Sequence, residues 1–203
     1  MKKSYSKFTF DDLQALGLRV EILGLFTGEQ VPNIVPSSFL IEQLGRNDGL
    51  SLNTEKAKSE FIIAPILNEV RHNNKNVFAV YSGFNFNVDV ARGLQGFCDF
   101  LLAKLPLSLV PQTAIIAVVE AKLYQDLSAA VPQCAAEMYA ARIWNKNKND
   151  KNTIEIYGTV TTGDTWLFLR LRDDVVEVDE TTYYSHQLGQ LLGVWQHIIN
   201  QFK

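Results

Sequence analysis

Hydrophobic and polar positions along the chain follow two different periods, and the changes of period mark its elements. Residues 114–119 form a short apolar run rich in β-branched side chains, the composition of a buried strand. Upstream, residues 77–81 and 84–88 are two strands, or one strand interrupted at Ser82-Gly83. Residues 97–102 form the next, after Gly93 and Gly96, and the loop from Pro106 to Pro111 leads into the run at 114–119. Residues 153–161 and 165–172, joined through Thr162-Gly163-Asp164, read as a hairpin, followed by a short strand near Val175-Val176.

Helical spacing appears between these runs. Thr54 caps a helix reaching about Arg71, with Glu55 in its first turn and a bend at Pro65. Ala57, Glu60, Phe61, Ala64 and Leu67 make its apolar stripe, and Glu60 is the exception within that stripe. Residues 126–145 form a second helix, whose alanines suit close packing on a sheet and whose Pro132 is tolerated in the first turn. Residues 185–202 form an amphipathic helix with Leu188, Leu191, Leu192, Trp195, Ile198 and Ile199 on its core side. Residues 8–50 are less regular. Phe10 to Leu13 opens a short helix with Asp11 or Asp12 as cap, residues 31–38 are extended around Pro32 and Pro36, and residues 39–44 make a helical turn or two. Strands and helices in this order predict an α/β single domain over residues 1–203, with a central mixed sheet flanked by helices and residues 1–53 as an N-terminal elaboration.

Composition narrows the function classes. A chain of 203 residues can bury a substantial core, and a net charge of −3 argues against a surface given over entirely to nucleic acid. It leaves room for a local basic groove, or for an acidic site that a divalent metal neutralises. Arg142, Lys146, Lys148 and Lys151, around the polar stretch 145–152, are candidates for such a groove, although a solvated loop is the simpler reading of that stretch. Cys98 and Cys134 are too few and too far apart for a disulfide scaffold or zinc site, and read as small buried thiols. Met1-Lys2-Lys3 is not followed by an apolar stretch, and no run reaches transmembrane length. The expected compartment is therefore the cytoplasm, with no membrane partner. His72, His186 and His197 lack carboxylates or cysteines at metal-ligand spacing. Nucleophile-elbow, P-loop and His-Glu-x-x-His motifs are absent.

The candidate chemistry lies in polar residues at apolar places. Glu120 and Lys122 end the run at 114–119 and project to the same face, since residues two apart on a strand do so. Taken alone, such a pair is more often an exposed ion pair, worth about 0–1 kcal/mol. Asp99, between Cys98 and Phe100, and Glu60, on its helix stripe, each require a partner, because an unpaired buried charge is costly. Gln133 lies near the start of the next helix. A sugar-cleaving carboxylate pair would give Lys122 no role.

Asp99 within Gly96-Phe97-Cys98-Asp99-Phe100, Glu120-Ala121-Lys122 after an apolar strand, and Glu60 and Gln133 in flanking helices together resemble the PD-(D/E)xK nuclease superfamily over residues 54–160. Many members lack the proline that is absent here before Asp99. The resemblance implies a restriction-endonuclease-like core at 54–160, with residues 161–203 as C-terminal additions. It implies a Mg²⁺ or Mn²⁺ ion held by Asp99 and Glu120, with the backbone carbonyl of Ala121 and with Glu60 completing the shell. Lys122 would orient the attacking water or stabilise developing charge, and Gln133 would position a phosphate or a neighbouring ligand. The implied activity is hydrolysis of DNA, with RNA second, by a monomer or a homodimer. The rival expectation is the same fold without catalysis, serving as a module that binds nucleic acid or protein.

Overall fold

The computed structural model describes residues 3–26, 31–123, 126–150 and 152–203. Its strands are β1 (Arg19–Leu23), β2 (Phe78–Asn85), β3 (Phe97–Lys104), β4 (Ile115–Ala121), β5 (Ile156–Thr161), β6 (Thr165–Arg172) and β7 (Val175–Tyr184). Its helices are α1 (Phe10–Ala15), α2 (Ser38–Gly45), α3 (Glu55–Lys58), α4 (Ala64–Asn73), α5 (Val131–Asn147) and α6 (Leu188–Asn200). All seven strands join one mixed sheet in the order β1-β7-β6-β5-β4-β3-β2. β4 and β5 run parallel and are connected through α5, β1 runs parallel to β7, and the other neighbours are antiparallel. The architecture is the expected α/β one. Among the described residues no helix is long and apolar enough to cross a membrane.

β4 is central and buried along its whole length, as its run of β-branched residues requires. One face of the sheet is covered by α5 and α1, the other by α4 and α6. α5 sits close to the sheet because its inner side is made of Cys134, Ala135, Ala136, Ala140 and Ala141. Beneath it a Cβ on Gly158 of β5 would lie 2.4 Å from Met138 Sδ and 2.8 Å from Cys134 Sγ, so glycine sets that spacing. Pro132 falls in the first turn, as anticipated, although the helix opens five residues later than its pattern suggested, after a 3₁₀ turn at Ser128–Ala130.

Other departures have local causes. β2 is one strand, with Gly83 at φ +61° absorbing the irregularity at Ser82-Gly83. β7 runs ten residues rather than two. Its buried Glu177 and Asp179 mask the apolar alternation of a strand. β1 was not anticipated. It is a largely exposed edge strand, so it carries little apolar pattern. Thr9, rather than Asp11 or Asp12, caps α1, and Asp12 closes the capping box. Asn145 lies in α5, as the helix expected at 126–145 has it, and its buried amide bonds both the N–H and the C=O of Ile115, each at 2.7 Å.

The helix expected at 54–71 carries the correction with the largest functional consequence. It is not one regular helix. α3 and α4 are separated by a π-helical turn at Ser59–Ile63. A π turn holds more residues than an α turn, so the faces before and after it do not line up. The buried stripe becomes Ile62, Ile63, Ile66, Leu67 and Val70. Glu60 therefore faces outward, with its side chain 51% exposed and its carboxylate 2.6 Å from Lys56 Nζ. Lys58 pairs with Asp164 of the β5–β6 turn at 3.0 Å. This ties the start of the helix to the hairpin beside the ends of β4 and β5.

Candidate functional site

The β3–β4 ladder is regular from Leu102↔Ala117 to Phe100↔Val119. One residue further, the Asp99 carboxylate takes over from backbone, and its Oδ2 accepts the Ala121 N–H at 2.7 Å. On the other side β4 keeps its parallel partner. Glu120 lies beside Val160, Ala121 beside Thr161, and the Lys122 N–H donates to Thr161 O at 2.7 Å. The end of β4 is thus held straight by β5, and Asp99 projects across it from β3. Glu120 and Lys122 do share a face, as strand alternation predicts, and Lys122 Nζ donates to Glu120 Oε1 at 2.5 Å. Gln133, the third residue of α5, closes the arrangement. Its Oε1 accepts from Lys122 Nζ at 3.2 Å, and its Nε2 donates to Glu137 Oε1 at 3.2 Å. Glu137 is one turn along the same helix and completely buried.

The carboxyls of Asp99, Glu120 and Glu137 thus act on one another, and the Lys122 ammonium bonds one of them, Glu120. Glu120 is 3% exposed, and burial is the main reason its pKa rises from 4.5 to about 8. Asp99 pushes it further up, and Lys122 pulls it back. Glu137 is raised well above the ordinary carboxylate range, first by burial and then by Glu120. Asp99 is raised by burial, against the opposing hydrogen bond from Ala121. For Lys122, burial favours the neutral amine, but the adjoining Glu120 wins and the net shift is upward. Taken as one coupled group, the carboxyls hold protons to higher pH than isolated acids while the ammonium stays charged. Among the described residues Glu120 Oε2 and Glu137 Oε2 are buried with no donor to bond them, and the two carboxyls can hydrogen-bond each other only where one of them holds a proton. The excess of buried acid must be balanced by protons or by a bound cation.

The structure therefore brings Asp99, Glu120, Lys122 and Gln133 together from β3, β4 and α5, and leaves Glu60 out. The acid of that helix found at the cleft is Glu55. It lines a cleft of about 630 Å³ together with Lys122, Gln133, Asp126, Leu123 and Phe8. Its charge also raises Asp99. Thr54 Oγ1 accepts the Ala57 N–H at 3.0 Å, which fixes Glu55 in the first turn. That cap was legible in the sequence; the π turn that moves Glu60 outward was not. Glu137 was missed, and the available signal was its spacing of four residues from Gln133 on a helix packed against the sheet. Arg142, Lys146 and Lys148 do not reach the cleft. Arg142 and Lys146 lie on the far half of α5 and Lys148 just beyond its end, with Arg142 about 14 Å along the axis from Gln133 and paired to Asp174. Lys151 falls outside the described residues.

Among the described residues no group of three or more His, Cys, Asp or Glu side chains is placed to hold a metal ion. A two-carboxylate set does fit Mg²⁺ or Mn²⁺, hard cations that use one or two carboxylates and retain several waters. Asp99 and Glu120 would supply such a set, and Lys122 and Gln133, which contact this group, line the neighbouring cleft. No family model matches the chain, and neither a curated protein nor a solved structure matches it.

Proposed function

We propose that the chain is a Mg²⁺- or Mn²⁺-dependent nuclease that hydrolyses phosphodiester bonds, with DNA as the first substrate and RNA as the second. Its catalytic core would be restriction-endonuclease-like: the helix from Glu55, then β2, β3, β4, α5 and β5. One observation carries this reading. Asp99, Glu120, Lys122 and Gln133, drawn from three separate elements, converge beside one cleft, with an excess of buried acid beside a single ammonium.

Asp99 and Glu120 would hold the metal, with the Ala121 carbonyl and Glu55 of the cleft lining completing its shell. When bound, such an ion supplies an activated water and charge neutralisation at the phosphate. The remaining work belongs to the chain. Ala121 N–H holds the Asp99 carboxylate in one orientation. Lys122 presents a fixed positive charge at the cleft, where charge develops on the scissile phosphate. Gln133 gives that ammonium a second acceptor besides Glu120.

The decisive test is cleavage of single- and double-stranded DNA and of RNA with Mg²⁺ or Mn²⁺, comparing wild type with Lys122→Ala. Loss of turnover by about 10²–10³-fold in the variant, with metal binding retained, is the expected result. Equal cleavage by both proteins refutes the role of Lys122. A second reading, a module with this fold that binds nucleic acid or protein without cutting, draws on one feature: Lys122 already occupies Glu120 Oε1. Binding that is unchanged by chelator, with no cleavage of any substrate, selects that reading.

A further inference from the structure

Glu137, the fully buried acid on α5, has no role in the reading above. Glu137 Oε1 accepts a hydrogen bond from Gln133 Nε2, and the same carboxyl also meets the Glu120 carboxyl and the Cys98 thiol in hydrogen bonds. A glutamine amide has two different ends, an acceptor oxygen and a donor nitrogen, and can be rotated to exchange them. Which end faces Lys122 matters. The oxygen attracts the ammonium, whereas the NH₂ would repel it. Next to Lys122 lies Gln133 Oε1, at 3.2 Å, and the NH₂ end is turned towards Glu137. Both ends of the amide are then satisfied only in this orientation. Lys122 in turn is held at two points, Glu120 Oε1 at 2.5 Å and Gln133 Oε1 at 3.2 Å.

We propose that Glu137 is a positioning residue, which fixes the Gln133 amide with its oxygen towards Lys122 and so holds the Lys122 ammonium at the cleft. Its consequence for cleavage rests on the nuclease reading; its consequence for Lys122 does not. The geometry explains why an acid is tolerated at the centre of α5 among alanines. A leucine there would fill the space but leave the amide free to turn. A glutamine would still offer an acceptor to Gln133 Nε2.

Two measurements on the full chain separate these claims. The first is the rate at which Lys122 is modified by an amine-reactive reagent, read by peptide mass spectrometry on metal-free protein. Glu137→Leu is expected to raise that rate about fivefold, as for loss of one hydrogen bond, and Glu137→Gln to restore it. Gln133→Leu, which leaves Glu137 in place, should raise it by the same factor, and the double variant should add nothing further. The second is cleavage kinetics. Glu137→Leu should lower kcat by about 10–100-fold with KM unchanged, and Glu137→Gln should recover it. An unchanged Lys122 modification rate in Glu137→Leu overturns the proposal. So does a Glu137→Gln variant as impaired as Glu137→Leu. If wild type cuts nothing while Lys122 still responds to Glu137 and Gln133, the nuclease reading fails and the positioning role stands.

Discussion

On the α6 face of the sheet the buried acids are saturated; on the α5 face they are not. Glu69 of α4 accepts the Ser37 N–H at 2.9 Å and the Ser37 hydroxyl at 2.8 Å, one bond to each oxygen. Asp179 of β7 accepts from Leu25 N–H, Thr181 N–H and Tyr183 Oη. Around them the core is aromatic: Phe168 and Trp195 meet edge to face at 5.4 Å, and Phe26 and Tyr183 join them. Across the sheet, small residues let α5 approach closely, and Glu120 and Glu137 each keep a buried oxygen with no donor among the described residues to bond it. An acid with all its bonds made holds loops in place. An acid left short, beside a cleft and an ammonium, is costly for stability and available for chemistry. On the proposed reading, stability rests mainly on one face and chemistry on the other.

The strongest way to break that contrast is to damage the aromatic face. Trp195→Ala should cost about 3–5 kcal/mol in urea denaturation while leaving the metal-binding behaviour of the folded fraction unchanged. A site that lost metal affinity along with stability would show that the two faces are not separable. Next comes ligand removal. At Mn²⁺ a hundredfold above its dissociation constant, wild type should gain about 2.7 kcal/mol of stability. Asp99→Asn should gain almost none, although an asparagine oxygen can still accept the Ala121 N–H. Equal stabilisation of both proteins would remove Asp99 from the metal shell.

The acid site also predicts a pH signature for the metal-free protein. A carboxyl raised from 4.5 to about 8 binds more protons in the folded than in the unfolded state between those values. Stability should therefore fall as pH rises through that window and level off above it. Glu120→Gln should make the decline shallower, measured as urea midpoints at both ends of the window. An unchanged slope would mean that Glu120 is not the proton holder. The smallest effect is expected at Glu60. Glu60→Ala should change stability by less than about 0.5 kcal/mol and leave cleavage as it was, since its carboxylate pairs with an exposed lysine, Lys56. A large loss of cleavage would return Glu60 to the site in place of Glu55.

Much of this was legible from one dimension. The apolar run at 114–119 determined β4, and strand alternation placed Glu120 and Lys122 together. Thr162-Gly163-Asp164 determined the β5–β6 hairpin, and the stripe through Leu191, Leu192, Trp195, Ile198 and Ile199 determined α6. These signals are local, because each depends only on spacings within one element. Tertiary structure decided the rest. A π turn changes helix phase without changing composition, so which of Glu55 and Glu60 meets the cleft had to come from the fold. The edge pairing of β1 depends on β7, a partner far away in sequence. The burial of Glu137 depends on how closely α5 approaches β4 and β5, a distance set by Gly158 and the alanines. Spacing along a chain states which side chains can share a face. Only packing states which faces meet, and so which of their charges are left to be neutralised.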